Sequence, residues 1–325
     1  MTMSSKRVKV WLSLASMMIA ASGCGDSADP ASSNDGDLAN NTVNNAANNA
    51  EPLGDRVRVA TWNVQRFFDS VCDTGSCDGD NDFESAPDPL DFIARADQIA
   101  EAIEDLDADV VLLQEIETTN CMDALEARLA GQFDVFVLGE IRQAGSLDTA
   151  VLARGELVDV ITHRQNPIDD LSGSTTRFVR ELLEVRLEID GHRLVVFSAH
   201  FRSQRNDDAA QRLAEATASH DIIVESAGLQ PGAMVIFGGD LNDEPGSEAI
   251  DALTEGDRLQ RVAEELGRDD WTHASARGTS TIDHLFLVKQ QGGSFVEGSA
   301  LVVRDGNFYG GSDHSALTAT FEFSP

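Results

Sequence analysis

The sequence predicts an α/β fold in which two β-sheets pack together with helices outside. Three observations carry this: many short apolar runs with strand character, few stretches of helical periodicity, and frequent hairpin signals between the runs. Residues 56–61 (RVRVAT) alternate as a strand does, with Val57 and Val59 on one face. A polar insertion from Asp69 to about Asp91 follows. Phe92, Ala96, Ile99, Ala100, Ile103 and Leu106 then recur at helical spacing. Residues 109–113 form a nearly all-apolar strand ending at Gln114-Glu115, and 121–129 read as a helix. Residues 135–138 and 149–152 are further strands, and 182–189 with 194–198 form a hairpin around Asp190-Gly191. A helix is expected over 207–226, with Leu213, Ala214, Ala218 and Ile222 on one face; 234–237, 282–288 and 317–323 supply the later strands.

The chain has 325 residues, enough for one large domain with appendages, and its 42% hydrophobic content can fill a sizeable core. Lys6, Arg7 and Lys9 precede an apolar stretch over 10–21 and then Ser22-Gly23-Cys24. That is the pattern of an export signal whose apolar part is too short for a good membrane span. Residues 25–54 are Asn, Ala, Ser, Asp and Gly with almost nothing to bury. The expected organisation is a leader over 1–24, a disordered tether over 25–54 and a catalytic domain over 55–325. The formal net charge of -32 disfavours a loose, sequence-independent grip on nucleic acid and suits a solvated surface in an exported or salty setting. Lys289 is the only lysine after the leader; the remaining cations are arginines, which hold phosphate in a forked geometry.

Short polar motifs close the apolar runs: TWNVQ with Asn63, LLQE with Glu115, FSAH with His200, GGDLND with Asp240 and Asn242, TIDHLFL with Asp283 and GGSDHSAL with Asp313 and His314. A rigid strand aims a side chain at its end while the next loop makes room for substrate. Carboxylates, two asparagines and two histidines presented in this way suit one divalent cation and one phosphate ester. Asp240 and Asn242 lie two apart, so extended backbone points them the same way, and Gly238 and Gly239 before them permit close approach to a ligand. His284, beside Asp283, should point to the opposite face and be structural.

In this order the motifs resemble the endonuclease/exonuclease/phosphatase superfamily, which includes deoxyribonuclease I, in the form of an extracellular nuclease made as a bacterial lipoprotein. The resemblance covers about residues 57–323. It implies a four-layer α-β-β-α sandwich of mainly antiparallel sheets, with the site at one end where the sheets meet. It implies Glu115 as principal metal ligand, with Asn63 and Asp313 contributing, and Mg2+ or Mn2+ as cofactor with Ca2+ as a further candidate. Asp240 and His314, the latter oriented and made more basic by Asp283, would activate water; Asn242 and Asn63 would contact phosphate, and His314 would also face the scissile phosphate. His200 would be the general acid for the leaving oxygen, with Asp148 as its orienting partner. Arg180 and Arg202 would bind phosphate, with Arg205 in the same positive rim. Residues 21–24 resemble a lipobox, which implies lipidation of Cys24 and, with Gly25 following, an outer-membrane or surface location. The membrane would be met only through that lipid, and the protein would be a monomer.

The implied function is an exported, metal-dependent phosphodiesterase, first of all a nuclease acting on DNA or RNA. A phospholipid or sugar-phosphate hydrolase of the same fold is the alternative, and a non-catalytic surface binding protein ranks below both. Glu117 stands where deoxyribonuclease I presents an arginine to the DNA minor groove, an anion that argues against duplex DNA as preferred substrate. In the insertion, Cys72 is expected to pair with Cys77 or either of them with Cys121, while Asp78, Asp80 and Asp82 alternate like calcium ligands without a full calcium-loop pattern.

Overall fold

The structure, a computed structural model, describes residues 8–11, 54–79, 81–170, 172–204, 208–306 and 308–325. Cys24, the tether up to residue 53, Asp80 and Arg205 lie outside the described residues. Among those described, eight strands form one sheet and six another. The first runs Val8–Trp11, Val135–Gly139, Asp148–Ala153, Val110–Ile116, Arg56–Phe67, Ala316–Phe323 and Gly293–Phe295, with Leu301–Val303 also paired to Ala316–Phe323. The second runs Leu259–Arg261, Asp283–Val288, Met234–Asp240, His192–His200, Leu183–Ile189 and Glu156–Thr162. Most neighbours are antiparallel, and each sheet has a parallel pair at its centre: Arg56–Phe67 with Val110–Ile116, and His192–His200 with Met234–Asp240. The Asp190-Gly191 hairpin forms as expected, with Ile189 opposite His192.

Period-two alternation sorts the side chains into layers. Val57, Val59, Val110, Leu112, Leu194, Val196, Met234, Ile236, Leu285 and Leu287 meet between the sheets. Their strand neighbours Ala60, Trp62, Val111 and Leu113 face the helices Pro89–Asp105 and Thr119–Arg128. Val195, Phe197, Val235 and Phe237 face Ala209–Leu229 and Glu248–Leu253. The result is a four-layer α-β-β-α sandwich with three apolar layers. Pro89–Asp105 begins where the polar insertion ends, because the Asp88 side chain accepts from Leu90 N and Asp91 N and so supplies its N-cap. No helix among the described residues is long and apolar enough to cross a membrane.

Candidate active site

The inter-sheet layer turns polar at one end. Counting by twos from Val57 and Val59 leads to Thr61 and Asn63; from Val110 and Leu112, to Gln114; from Leu194 and Val196, to Ser198 and His200; from Met234 and Ile236, to Gly238 and Asp240. In the parallel pairs, Asn63 stands opposite Gln114 and His200 opposite Asp240. Asp283 opens the antiparallel neighbour and sits opposite Asp240. The loop before Ala316–Phe323 brings in Asp313 and His314. It is tied to Arg56–Phe67 by Ser312 Oγ donating to Asn63 O at 2.7 Å, Trp62 Nε1 to His314 O at 3.4 Å and Asp313 N to Gln65 Oε1 at 3.2 Å.

A cleft of about 1130 Å³ opens over this end, lined by Glu115, Arg180, His200, Asp240, Asn242, Asp313 and His314 among others. Asp240 is the hub. Its Oδ2 lies 2.9 Å from Asn63 Nδ2, 3.4 Å from His200 Nε2 and 3.9 Å from His314 Nε2, while its Oδ1 accepts from Asn242 N at 2.9 Å. His314 Nδ1 bonds Asp283 Oδ2 at 2.8 Å. Glu115 accepts from Asn63 Nδ2 at 3.2 Å and from Arg66 N at 2.7 Å. Gln65, Arg66, Glu115 and Asn242 all take positive φ, a concentration of backbone strain typical of functional sites.

Burial and charge set three distinct proton affinities. For His314, burial opposes the cation, but the hydrogen-bonded Asp283 carboxylate, with Asp240 and Asp313, outweighs it and pushes the imidazole up to about 10. Asp240 is pushed up to about 7 by burial and by Asp283. His200 is held well below its ordinary value by burial, Arg180 and His314. At neutral pH these shifts favour a cationic His314 and a neutral His200, and they make Asp240 hold a proton far more readily than an ordinary carboxylate. Asp283→Asn should drop the His314 pKa from about 10 toward the ordinary imidazole range, read by NMR titration of the ring; an unchanged value would remove Asp283 as the cause. Because the folded pKa is the higher one, this pair stabilises the fold below the ordinary histidine range, and the contribution is lost as pH rises through about 10.

Several expectations change. Asn63 is fully buried beneath the cleft and joins two carboxylates, while its Oδ1 accepts from Gln65 N at 2.9 Å. Its amide nitrogen bridges Glu115 and Asp240 and so fixes both carboxylates at the floor of the cleft. Arg180 lines the cleft with Nε on Leu147 O at 3.0 Å and Nη1 on Phe201 O at 3.2 Å, and no carboxylate ion-pairs with it among the described residues. Burial works against its charge, while Glu115 and Asp240 favour it. Arg202 also lines the cleft but faces Asp208 at 3.6 Å, which offsets part of its charge. Asn242 lines the cleft with Nδ2 donating to Phe201 O at 3.2 Å.

Asp148 does not orient His200. It accepts from Ile141 N at 3.1 Å and Ser146 Oγ at 3.0 Å, and His200 Nδ1 has no hydrogen-bond partner. Glu117 is buried, accepts from Asp69 N at 2.8 Å and braces the insertion instead of facing substrate, so it is no argument against DNA. Gly238 and Gly239 serve strand packing rather than ligand approach: a Cβ would come within 2.5 Å of Leu285 Cδ2 and 1.9 Å of Ala199 O, respectively. Cys72 pairs with Cys77, and Cys121 is a buried free thiol. Asp82 accepts from Gly79 N and Ser76 Oγ within the same loop. His284 is fully buried between Arg261 Nε at 3.0 Å and Asp243 O at 2.9 Å, a structural role.

Sequence reasoning missed His273, Arg66 and Arg277, which also line the cleft. His273 lies 3.9 Å from Asp313 and 4.8 Å, ring to ring, from His314. Thr272, next to it, accepts from Ile282 N and Asp283 N through Oγ1 and from Ser315 N through its carbonyl, tying together both loops at the cleft.

A sequence profile described as the Endonuclease/Exonuclease/phosphatase family matches residues 60–314. No curated relative matches the chain. Among solved structures, the chain is similar to the human Nocturnin catalytic domain with bound sulfate anion, at 19% identity, 83% coverage of this chain, 95% of that chain and a TM-score of 0.58. It is similar to D. rerio TDP2 complexed with single strand DNA product, at 18% identity, 82% and 99% coverage and a TM-score of 0.57. An endonuclease/exonuclease/phosphatase from Bacteroides vulgatus gives 19%, 83%, 99% and 0.58. At these identities the likeness speaks to the fold.

Proposed function

The chain belongs to the endonuclease/exonuclease/phosphatase family, and from that premise we propose that it is an exported, metal-dependent phosphodiesterase that hydrolyses nucleic acid. The observation that carries the reading is the Asp240 hub, one buried carboxylate reached by Asn63, His200 and His314 beside Arg180, which has no carboxylate ion pair among the described residues. Arg180 and the cationic His314 would bind the phosphoryl oxygens, because charge-assisted hydrogen bonds from cations lining a cleft favour an anionic ligand. Asp240, near its own titration point at neutral pH, would accept the proton of the attacking water. His200, kept neutral by burial and by the neighbouring cations, would donate a hydrogen bond to the leaving oxygen in place of the full proton transfer of a general acid. Glu115 and Asp313 both line the cleft and would offer hard oxygen donors of the kind that Mg2+ or Mn2+ takes, and Asp313, which clusters with His273 and His314, is open to solvent on 36% of its side chain. Such a cation neutralises charge developing on the phosphate when bound.

The bound sulfate of Nocturnin and the single strand DNA product of TDP2 agree with an anion-binding, nucleic-acid-processing cleft. Export is supported by the basic and apolar leader ending at Cys24 and by the Cys72–Cys77 disulfide, which suits an oxidising compartment; processing at Cys24 would remove the edge strand Val8–Trp11 and leave Val135–Gly139 at the sheet edge, and lipidation of Cys24 would hold the monomeric domain at the cell envelope. The test is cleavage of single-stranded DNA, duplex DNA, RNA, sphingomyelin and bis-p-nitrophenyl phosphate with Mg2+, Mn2+ or EDTA. Nucleic-acid cleavage that EDTA and His314→Ala abolish is expected. Turnover of the lipid or the small diester alone would move the protein to the lipid or sugar-phosphate reading, and silence on every substrate would favour a binding protein.

A further inference from the structure

We propose that Phe83 is a stacking platform for an unpaired nucleobase beside the scissile phosphate, giving the enzyme a preference for single-stranded over duplex nucleic acid. The inference rests on the phosphodiesterase reading above. Phe83 is 50% exposed, an unusual state for a phenylalanine, and it lines the same cleft as Glu115, His200 and His314. It is held rather than loose. The Arg66 guanidinium lies 5.1 Å from its ring centroid, Phe68 meets it edge-on at 6.1 Å, and Arg66 Nη2 donates to the Phe83 carbonyl. The same Arg66 donates its backbone N–H to Glu115, so the aromatic ring is coupled to the catalytic end through one residue.

The insertion that carries the ring is braced from below. Cys72–Cys77 closes it, the buried Glu84 accepts from Asp73 N at 2.6 Å and Thr74 N at 2.8 Å, and Glu117 accepts from Asp69 N. Phe83 is therefore presented on a fixed loop next to an anchored residue. An unpaired base can offer its flat face to such a ring, whereas inside a duplex both faces of each base are covered by stacked neighbours. Stacking is also sequence-tolerant and independent of net charge, which suits a chain whose net charge of -32 weakens electrostatic grip.

The experiment compares kcat/KM on a single-stranded oligonucleotide, the same strand with abasic sites around the cleavage position, and its duplex, for wild type, Phe83→Ala, Phe83→Leu and Phe83→Trp. Wild type should favour the intact strand over the abasic strand by about fivefold to a hundredfold. Phe83→Ala and Phe83→Leu should equalise the two, and Phe83→Trp should restore the difference. Phe83→Leu keeps an apolar contact without a π-face, which separates stacking from loop stability. Cleavage of intact and abasic strands at equal rates by wild type, or an undiminished ratio in Phe83→Leu, would overturn the platform and leave the nuclease reading standing. A wild type silent on every nucleic acid would overturn both.

Discussion

Asp240→Asn should lower kcat for phosphodiester cleavage by about 10²–10⁴-fold, the range of a lost general base, with the fold intact. The change is isosteric, but an amide cannot take a proton from water. The wild-type rate should fall as pH drops below about 7, where Asp240 is protonated, and a divalent cation in the cleft should move that limb to lower pH by favouring the carboxylate. The variant should lack the limb. Stability should move the other way. The folded pKa of Asp240 is raised above its ordinary value, so ionisation costs the fold stability as pH rises from the ordinary carboxylate range through about 7. The neutral amide removes that cost but leaves unmade one of the hydrogen bonds that Asp240 accepts from Asn63 Nδ2 and Asn242 N, so the drop in Tm caused by the substitution should be smaller at pH 8 than at pH 5. A variant that keeps wild-type kcat across pH would end the case for Asp240 as the base.

Gly239→Ala should be the most destabilising single methyl in the domain, costing more than about 4 kcal/mol or preventing folding. Gly239 has φ +147, where an L-residue is strained, and its added Cβ would sit 1.9 Å from Ala199 O and 2.8 Å from Ala199 C in the central parallel pair. The obstacle is backbone in the middle of a sheet, so it cannot swing aside as a side chain would. Gly246→Ala is the control: φ is +85 there, but nothing lies within 4 Å, so the cost should be about 1 kcal/mol. Denaturant midpoints of the two variants decide it. If Gly239→Ala unfolds within 1 kcal/mol of Gly246→Ala, the close packing is wrong.

The layers and the motif-bearing strands were legible because buried strands are apolar and end abruptly in polar residues. Glu156–Thr162 was not: it is a largely exposed edge strand, and a register shift between Leu157 and Asp159 breaks its alternation. Leu259–Arg261, Gly293–Phe295 and Leu301–Val303 are three residues each, too short for a period to show. Within the site, the carboxylates and histidines could be named from strand ends, but not which way each polar group faces. Glu117 misled because simple alternation puts it on the side of Glu115. The strand is interrupted there, with Glu115 at φ +68 and a register shift between Gln114 and Ile116, and Glu117 turns into the base of the insertion. His273 and Arg277 went unseen because they belong to a short hairpin, His273–Ser275 with Gly278–Ser280, that no apolar run announces.

The pleat that carries the core into the cleft has a consequence for folding errors. Asn63, Gln114, His200 and Asp240 share parity with the valines, leucines and isoleucines of the inter-sheet layer, across two parallel pairs. A one-residue slip in His192–His200 would turn His200 toward the helices and set Val195 and Phe197 between the sheets in place of Leu194 and Val196. Misregistered chains therefore lose the catalytic end and the core together, and a stable but mis-threaded, partly active form has no low-cost route to exist.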